Sequence, residues 1–510
     1  MNRNRNRMSA NVVANLFGRL WSMFSIYLFI PLYIYFLGEE AYGLVTFYAT
    51  LYTVMNLLGL GLSKTLRREF ASGEDNDEIR LKKYKMLRSV EVVYFGITFL
   101  IIIICFLGAE ALAEHWLNIG SLDKQTVIVT IRLMGVTISL QILSYLYIGG
   151  LLGLEYQVKA NMYLVGWSIA KNLGVIIVLW LIKEDIRLFY IWHIIVDLFF
   201  LMLVRISVIK LLEGNTPLKW SLADITNLKE IKEFAFGLFL VSLVYTLNSQ
   251  LDKIVVSKLL SLLEVGAYFL TYSLGQLTSI ISTAIATAAF SKLTMYFSTN
   301  DIKMQKESYI NLNRIAGITV ICIGTFVAVY AYELLLVWTG NQILSNIARS
   351  AAFYVVIGST FAALQIISYE YLLSRGNTKI NNVLGISSIP YTLIVTPILV
   401  SKFGIFGAAI SWCILMTVLT IIYLSYIHYN YIGNDTIRWL IGYTFLPFIF
   451  SLGIAYLSKY ITIIFGFSLI ETLIFAVLSG GFVLIINFFL FDNIIINLIR
   501  TKISSLVFLK

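Results

Sequence analysis

Apolar residues in this chain fall in blocks of roughly twenty, separated by short polar connectors, almost from end to end. A helix needs about 20 apolar residues to cross the hydrocarbon core of a bilayer, and about fourteen such blocks can be placed. They begin near Val12, Tyr42, Val90, Thr126, Asn161, Leu188, Phe234, Val265, Asn311, Arg349, Asn382, Phe406, Trp439 and Ile463. No connector is long enough to fold as a separate domain. The pattern therefore predicts an all-α polytopic membrane protein, and composition agrees. A soluble chain with 59% hydrophobic and 13% charged residues would expose more apolar surface than water tolerates.

Charge then sets an orientation, because cytoplasmic connectors carry the excess of Lys and Arg. With the amino terminus inside, that side receives Arg3, Arg5, Arg7, the run Lys64, Arg67, Arg68, Arg80, Lys82, Lys83, Lys85 and Arg88, and most later clusters. The balance is about 26 cytoplasmic against about seven on the far side, which puts both termini in the cytoplasm. The net charge of +10 is mostly this topology signal, and no basic soluble face for nucleic acid is visible. Cys105, Cys322 and Cys413 lie far apart within apolar spans, without the spacing of a disulfide or metal site. The first apolar block is broken by Arg19 and lacks a small-residue cleavage site, so it is read as a retained helix.

A weak internal repeat organises the spans. Phe36 to Leu44 (FLGEEAYGL) matches Leu259 to Ala267 (LLSLLEVGA), and Leu151-Leu152 followed by Asn161 matches Leu372-Leu373 followed by Asn382, at offsets of about 222. Six spans separate the copies, so the expected architecture is two six-helix lobes related by a pseudo-two-fold along the membrane normal. The expected divisions are a lobe over 1–209, a cytoplasmic linker over 210–233, a second lobe over 234–430, an appended helix pair over 431–492 and a tail over 493–510. The tail reads either as an amphipathic surface helix or as an unstructured end. Far-side connectors are short, the longest running from about Ala109 to Gln125. That argues against a membrane glycan polymerase or ligase, which needs a large outer loop with catalytic residues.

Charged side chains at mid-membrane cost at least about 2.5 kcal/mol and ask for a partner or a wet cavity. Asn11, Asn15, Gly18, Arg19, Ser22 and Ser25 form one stripe, and Gly237, Ser242, Tyr245, Asn248 and Asp252 form another on the seventh span. These stripes either line an interlobe cavity or glue helices together. Arg19 either snorkels to headgroups or faces the cavity. Lys171 and Asp197 stand mid-span in adjacent helices and are expected to pair, as a structural bridge or a proton-coupled switch. Arg132 lies near a far-side end, where snorkelling competes with substrate contact. Asp252 and Lys253 are adjacent and expected to face different ways. Arg67 and Arg68, after Gly59-Leu60-Gly61-Leu62-Ser63, either fix topology or receive an anionic headgroup. Pro31, Pro390 and Pro397 predict kinks, while His115, His193 and His428 are expected at the interface.

Several segments carry a resemblance. Pro31-Leu32-Tyr33 with Leu37 to Leu44, then Leu58-Gly59-Leu60-Gly61-Leu62, resembles the first two helices of polysaccharide transporters of the multidrug/oligosaccharidyl-lipid/polysaccharide flippase superfamily. Leu251 to Ser257 followed by Val265-Gly266-Ala267-Tyr268 is similar to their seventh and eighth helices, and Gly404 to Ile410 to the start of their twelfth. Where a typical member has a Pro at the end of the eighth helix, this chain has Phe290-Ser291. The resemblance implies a Wzx-type flippase that is not an enzyme. Its substrate would be an undecaprenyl-pyrophosphate-linked oligosaccharide, such as an O-antigen, capsule or exopolysaccharide unit, moved to the outer leaflet by alternating access. It further implies Arg19, Arg132, Lys171, Arg67, Arg68, Asn15 and Asn248 as substrate contacts and Asp197 and Asp252 as ion-coupling residues. No cofactor or metal is expected beyond a proton or sodium gradient. The partners would be membrane lipids, a polysaccharide polymerase and a chain-length regulator, with no nucleic acid. A multidrug exporter of the same superfamily is the nearest rival, although its cavity for cations would be acidic, whereas these spans hold more bases than acids.

Overall fold

The computed structural model describes residues 27–71, 76–213, 226–433 and 436–491, together with 15, 17, 18, 21, 24 and 25. Arg19, half of the 210–233 linker (214–225) and the 493–510 tail lie outside the described residues. The rest is helical, with one isolated bridge between Asn118 and Ser261 and no strand among the described residues. In order the helices are α1 (Tyr27–Leu37), α2 (Glu39–Ala71), α3 (Asp77–Ala111), α4 (Lys124–Gly153), α5 (Gln157–Leu181), α6 (Ile186–Glu213) and α7 (Thr226–Leu259). There follow α8 (Leu262–Ser298), α9 (Ile302–Val329), α10 (Ala331–Thr339), α11 (Gln342–Ser374) and α12 (Lys379–Ile427). The last are α13 (Thr436–Leu440), α14 (Leu446–Ile464) and α15 (Leu469–Phe491). Ten helices among the described residues are long and apolar enough to cross a membrane. The chain is thus a multi-pass membrane protein.

Local chemistry sets the helix ends. Asn76, Asp123, Asp301 and Asn341 each accept a hydrogen bond from the backbone N–H three residues on, at 2.8–3.1 Å, as N-caps do. Ser468 and Glu471 close a reciprocal capping box at the start of α15. The 49 residues of α12 would span about 74 Å as one straight helix, far more than a bilayer core. Gly404, at φ 59° and ψ −140°, breaks it into the two spans expected from Asn382 and Phe406; that backbone is open only to glycine. The non-helical position in α12 is this glycine and not Pro390 or Pro397, which the helix absorbs. Helix α8 continues through Phe290-Ser291 to Ser298.

By contact the chain forms two compact units, Met1–Leu263 and Glu264–Lys510. The boundary falls one helix beyond the 210–233 linker, because α7 packs along α2. In the first unit α4 is the central helix. Its Thr130, Thr137, Ser139 and Ser144 return their hydroxyls to carbonyls one turn back, which satisfies them in an apolar interior. In the second unit α14 packs on the end of α9 and on α10 through Tyr330–Ser458 at 2.8 Å and the Lys459–Glu333 ion pair at 2.9 Å, and α15 joins α14 through Asn487–Ser451 at 2.8 Å. The repeat has a physical counterpart within each unit. Glu91 and Tyr147 join α3 to α4, while Asn313, Tyr309 and Ser368 join α9 to α11; Glu91 with Asn313, and Tyr147 with Ser368, stand about 222 residues apart.

Candidate functional site

Two charged clusters are buried in the first unit. At the first, α5 carries Trp167 and Lys171 one turn apart, so both face the same neighbour, and that neighbour is Asp197 of α6. The Lys171 ammonium lies 3.3 Å from both carboxylate oxygens, and Trp167 Nε1 and Gln141 Nε2 donate to them at 2.8 and 3.1 Å. Asp197 is fully buried, and the ammonium also sits 5.0 Å from the Trp167 ring centre. Gln141 reaches Tyr48 of α2 as well, so four helices converge here. One turn before Asp197, His193 is buried against the Phe189 ring at 4.2 Å. Neither of its ring nitrogens, nor the Tyr190 hydroxyl, has a hydrogen-bond partner among the described residues. Tyr33 closes the cluster by donating to Asn172 Oδ1 at 2.9 Å.

The second cluster was not read from the sequence. Glu91 on α3 is buried and holds Arg88 of its own helix, Arg205 Nε of α6 at 3.4 Å and the Tyr147 hydroxyl of α4 at 2.6 Å. Two guanidiniums meet this one carboxylate. A signal existed: Arg88 and Glu91 have the i, i+3 spacing of a helical ion pair, and Arg205 interrupts an apolar span. A cavity of about 270 Å³ lies in the same unit, lined by Tyr52, Asn56, Gly59, Ser63, Tyr94, Ile142 and Tyr145. Its Tyr145 wall packs edge-on against Trp167, and its Tyr94 wall is one turn from Glu91.

The structure brings Lys171 and Asp197 together and distributes the other named residues. Arg132 is 3.5 Å from Glu110 and lies over the Phe106 ring. Arg67 and Arg68 are exposed, the latter bonded to Glu69 at 2.9 Å. Asn15 joins Gln157 and Asn161 of α5, each at 2.7 Å. Asn248 donates to Val244 O of its own helix. Asp252 and Lys253, expected to diverge, are both buried and 3.4 Å apart. The long lysine chain folds back along α7 to reach Ser249 O as well. His193 and His428 are buried instead of interfacial, each stacked on an aromatic ring, and only His115 is exposed. No group of three potential metal ligands occurs among the described residues.

Because Asp197 neutralises Lys171, an anion arriving there has to compete with a carboxylate held by three donors.

Comparison with known proteins places this architecture. A family model described as polysaccharide biosynthesis protein matches residues 8–297. A Shigella flexneri protein named for O-antigen transport is 24% identical over 387 residues, covering 74% of this chain and 87% of that protein. A lipid II flippase, MurJ, in an inward closed conformation superposes with a TM-score of 0.67 at 16% identity, covering 95% of this chain and 99% of its own. An inward-facing multidrug resistance transporter of the MATE family and MOP superfamily gives 0.62 at 12% identity, covering 80% and 92%. These two likenesses establish the fold.

Proposed function

Because this chain belongs to the polysaccharide biosynthesis protein family, as a membrane transporter and not an enzyme, we propose that it is a Wzx-type flippase. Its substrate is an undecaprenyl-pyrophosphate-linked oligosaccharide, an O-antigen, capsule or exopolysaccharide repeat unit. The unit moves from the cytoplasmic to the outer leaflet of the bacterial inner membrane by alternating access, with both termini of the protein in the cytoplasm. The observation that carries this reading is the family match over 8–297, which spans both buried charge clusters. A sugar headgroup cannot cross hydrocarbon unaided, and the first unit supplies polar and cationic side chains at membrane depth.

In this reading Arg67 and Arg68, exposed at the end of α2, receive the pyrophosphate electrostatically. Arg19, Asn15, Lys171, Asn248 and Arg132 meet the headgroup along its path. Asp197 and Asp252 carry the coupling charge, a proton or a sodium ion taken from the membrane gradient. A pair as dry as Lys171 and Asp197 separates readily only if one partner is neutralised or another cation replaces it. Product released on the outer leaflet passes to a polysaccharide polymerase and its chain-length regulator.

The test is complementation of a bacterial strain lacking its own flippase, with the matching glycan pathway supplied. Restored surface polymer and loss of the cytoplasmic-leaflet lipid-linked pool support the reading. An unchanged pool with increased resistance to cationic dyes contradicts it and points to a drug exporter.

A further inference from the structure

The face opposite the proposed cytoplasmic side carries an assembly of hydrogen bonds not used above. Glu40, at the start of α2, accepts from the backbone N–H groups of Gly120, Ser121 and Leu122 at 2.5, 2.7 and 3.2 Å, and from the Ser121 hydroxyl at 2.5 Å. One carboxylate thus pins the connector between α3 and α4 to α2. The same connector grips the end of α7. Asn118 Nδ2 donates to Lys258 O and Leu260 O at 3.3 and 3.2 Å, and Leu262 N donates back to Asn118 O at 3.2 Å. Trp116 Nε1 donates to Ser257 Oγ at 3.1 Å, and the Lys258 ammonium caps His115 O while lying 5.4 Å from the Trp116 ring centre.

We propose that Glu40 is a positioning residue for an outer gate. It fixes the 115–122 connector as a clip over the corner between α7 and α8, and the clip releases that corner when the transporter opens on this side. The inference rests on the transporter reading.

Three observations carry it. The two ends of the clip differ in strength: four bonds to one carboxylate hold it to α2, and charge-assisted bonds are about twice as strong as neutral ones. Its hold on α7 is mainly neutral amide and hydroxyl bonds, worth about 1 kcal/mol each, with the Lys258 ammonium added. Release therefore occurs at α7. The seam beneath also rests on glycines. Gly43 lies under the Leu262 carbonyl and Gly61 under the Ala235 carbonyl, with no room for a Cβ at either, so α2 meets the backbone of α7 at one point and the start of α8 at the other. Finally, the corner is where the chain leaves the first unit, whose last residue is Leu263.

The experiment uses the full chain with Cys105, Cys322 and Cys413 replaced by alanine, each variant checked for a single gel-filtration peak. Asn118 and Ser261 are bridge partners, which brings their Cα atoms to about 4.8 Å, within disulfide range. In Asn118→Cys/Ser261→Cys, oxidation should lower vesicle transport of the lipid-pyrophosphate oligosaccharide at least tenfold, and reduction should restore it. Equal transport in both redox states overturns the proposal, since the clip is then a fixed rivet.

A second readout needs no substrate. Ser257 is buried beneath Trp116, so in Ser257→Cys maleimide labels the thiol only when the clip lifts. Adding Glu40→Gln should raise the labelling rate several-fold. An unchanged rate overturns the proposal. If the reduced protein moves no oligosaccharide at all, the substrate reading fails, and the labelling comparison alone decides the gate.

Discussion

Removing one member of the Lys171–Asp197 pair should destabilise the protein far more than removing both. In Lys171→Met the Asp197 carboxylate keeps Trp167 and Gln141 as donors but loses its only counter-charge within the cluster. Breaking a buried ion pair from one side costs about 3–5 kcal/mol, and the two remaining donors place the expected loss near the lower end, about 3 kcal/mol. In Asp197→Leu the ammonium is stranded over the Trp167 ring and the loss is similar. The double variant Lys171→Met/Asp197→Leu replaces the pair by apolar groups of comparable volume, which is often neutral or better, so it should unfold within about 1 kcal/mol of the parent. The double-mutant cycle then returns a coupling of several kcal/mol. The assay is unfolding of detergent-purified protein followed by tryptophan fluorescence, with vesicle transport measured on the same preparations. The double variant should recover stability without recovering transport. Single variants as stable as the parent, or losses that simply add in the double, would refute the energetic reasoning. A double variant that transports at the parental rate would make the pair purely structural.

Three further outcomes are expected. Glu91→Ala sets Arg88 and Arg205 against each other in a buried site, and should cost about 3 kcal/mol in the same unfolding assay; Arg205→Met, which leaves the Arg88 partner in place, should cost less. Gly404→Ala forces a side chain onto backbone reserved for glycine, and a loss of about 1–3 kcal/mol should appear as a lowered unfolding midpoint. In the connector before α6, the Arg187 guanidinium hydrogen-bonds Asp185 and holds its carboxyl down at about 2. A lowered folded-state value means the stabilisation is present above about pH 4, falls away as pH drops towards about 2, and is absent below. Amide exchange in the first turn of α6 should quicken across that window, and Asp185→Asn should abolish the step.

Much of the architecture was legible because a bilayer imposes a simple rule on sequence. Apolar blocks of spanning length gave the helices, and Lys171 and Asp197 stood out as charges in otherwise apolar segments. The same rule hid the Glu91 cluster, since Arg88 belongs to a basic run that topology already explains and Glu91 sits just where an apolar block begins. Lone histidines carry no periodic signal, so burial of His193 and His428 depends on aromatic neighbours from their own and other helices. The break in α12 lay among more conspicuous prolines, yet only glycine adopts the backbone at 404. Lys253 and Asp252 pair because a long flexible chain can turn back, which spacing alone does not encode. Glu40 was visible as part of a motif, but its partners are mainly backbone amides, and every residue type supplies those.

The central claim is most directly tested in vesicles of purified protein loaded on one leaflet with a polyprenyl-pyrophosphate oligosaccharide, with appearance of the sugar on the opposite leaflet followed in time. The account predicts movement that depends on the protein, responds to an imposed proton or sodium gradient, and collapses in folded Lys171→Met. Wild-type protein that moves none of several such glycans under any gradient would contradict it.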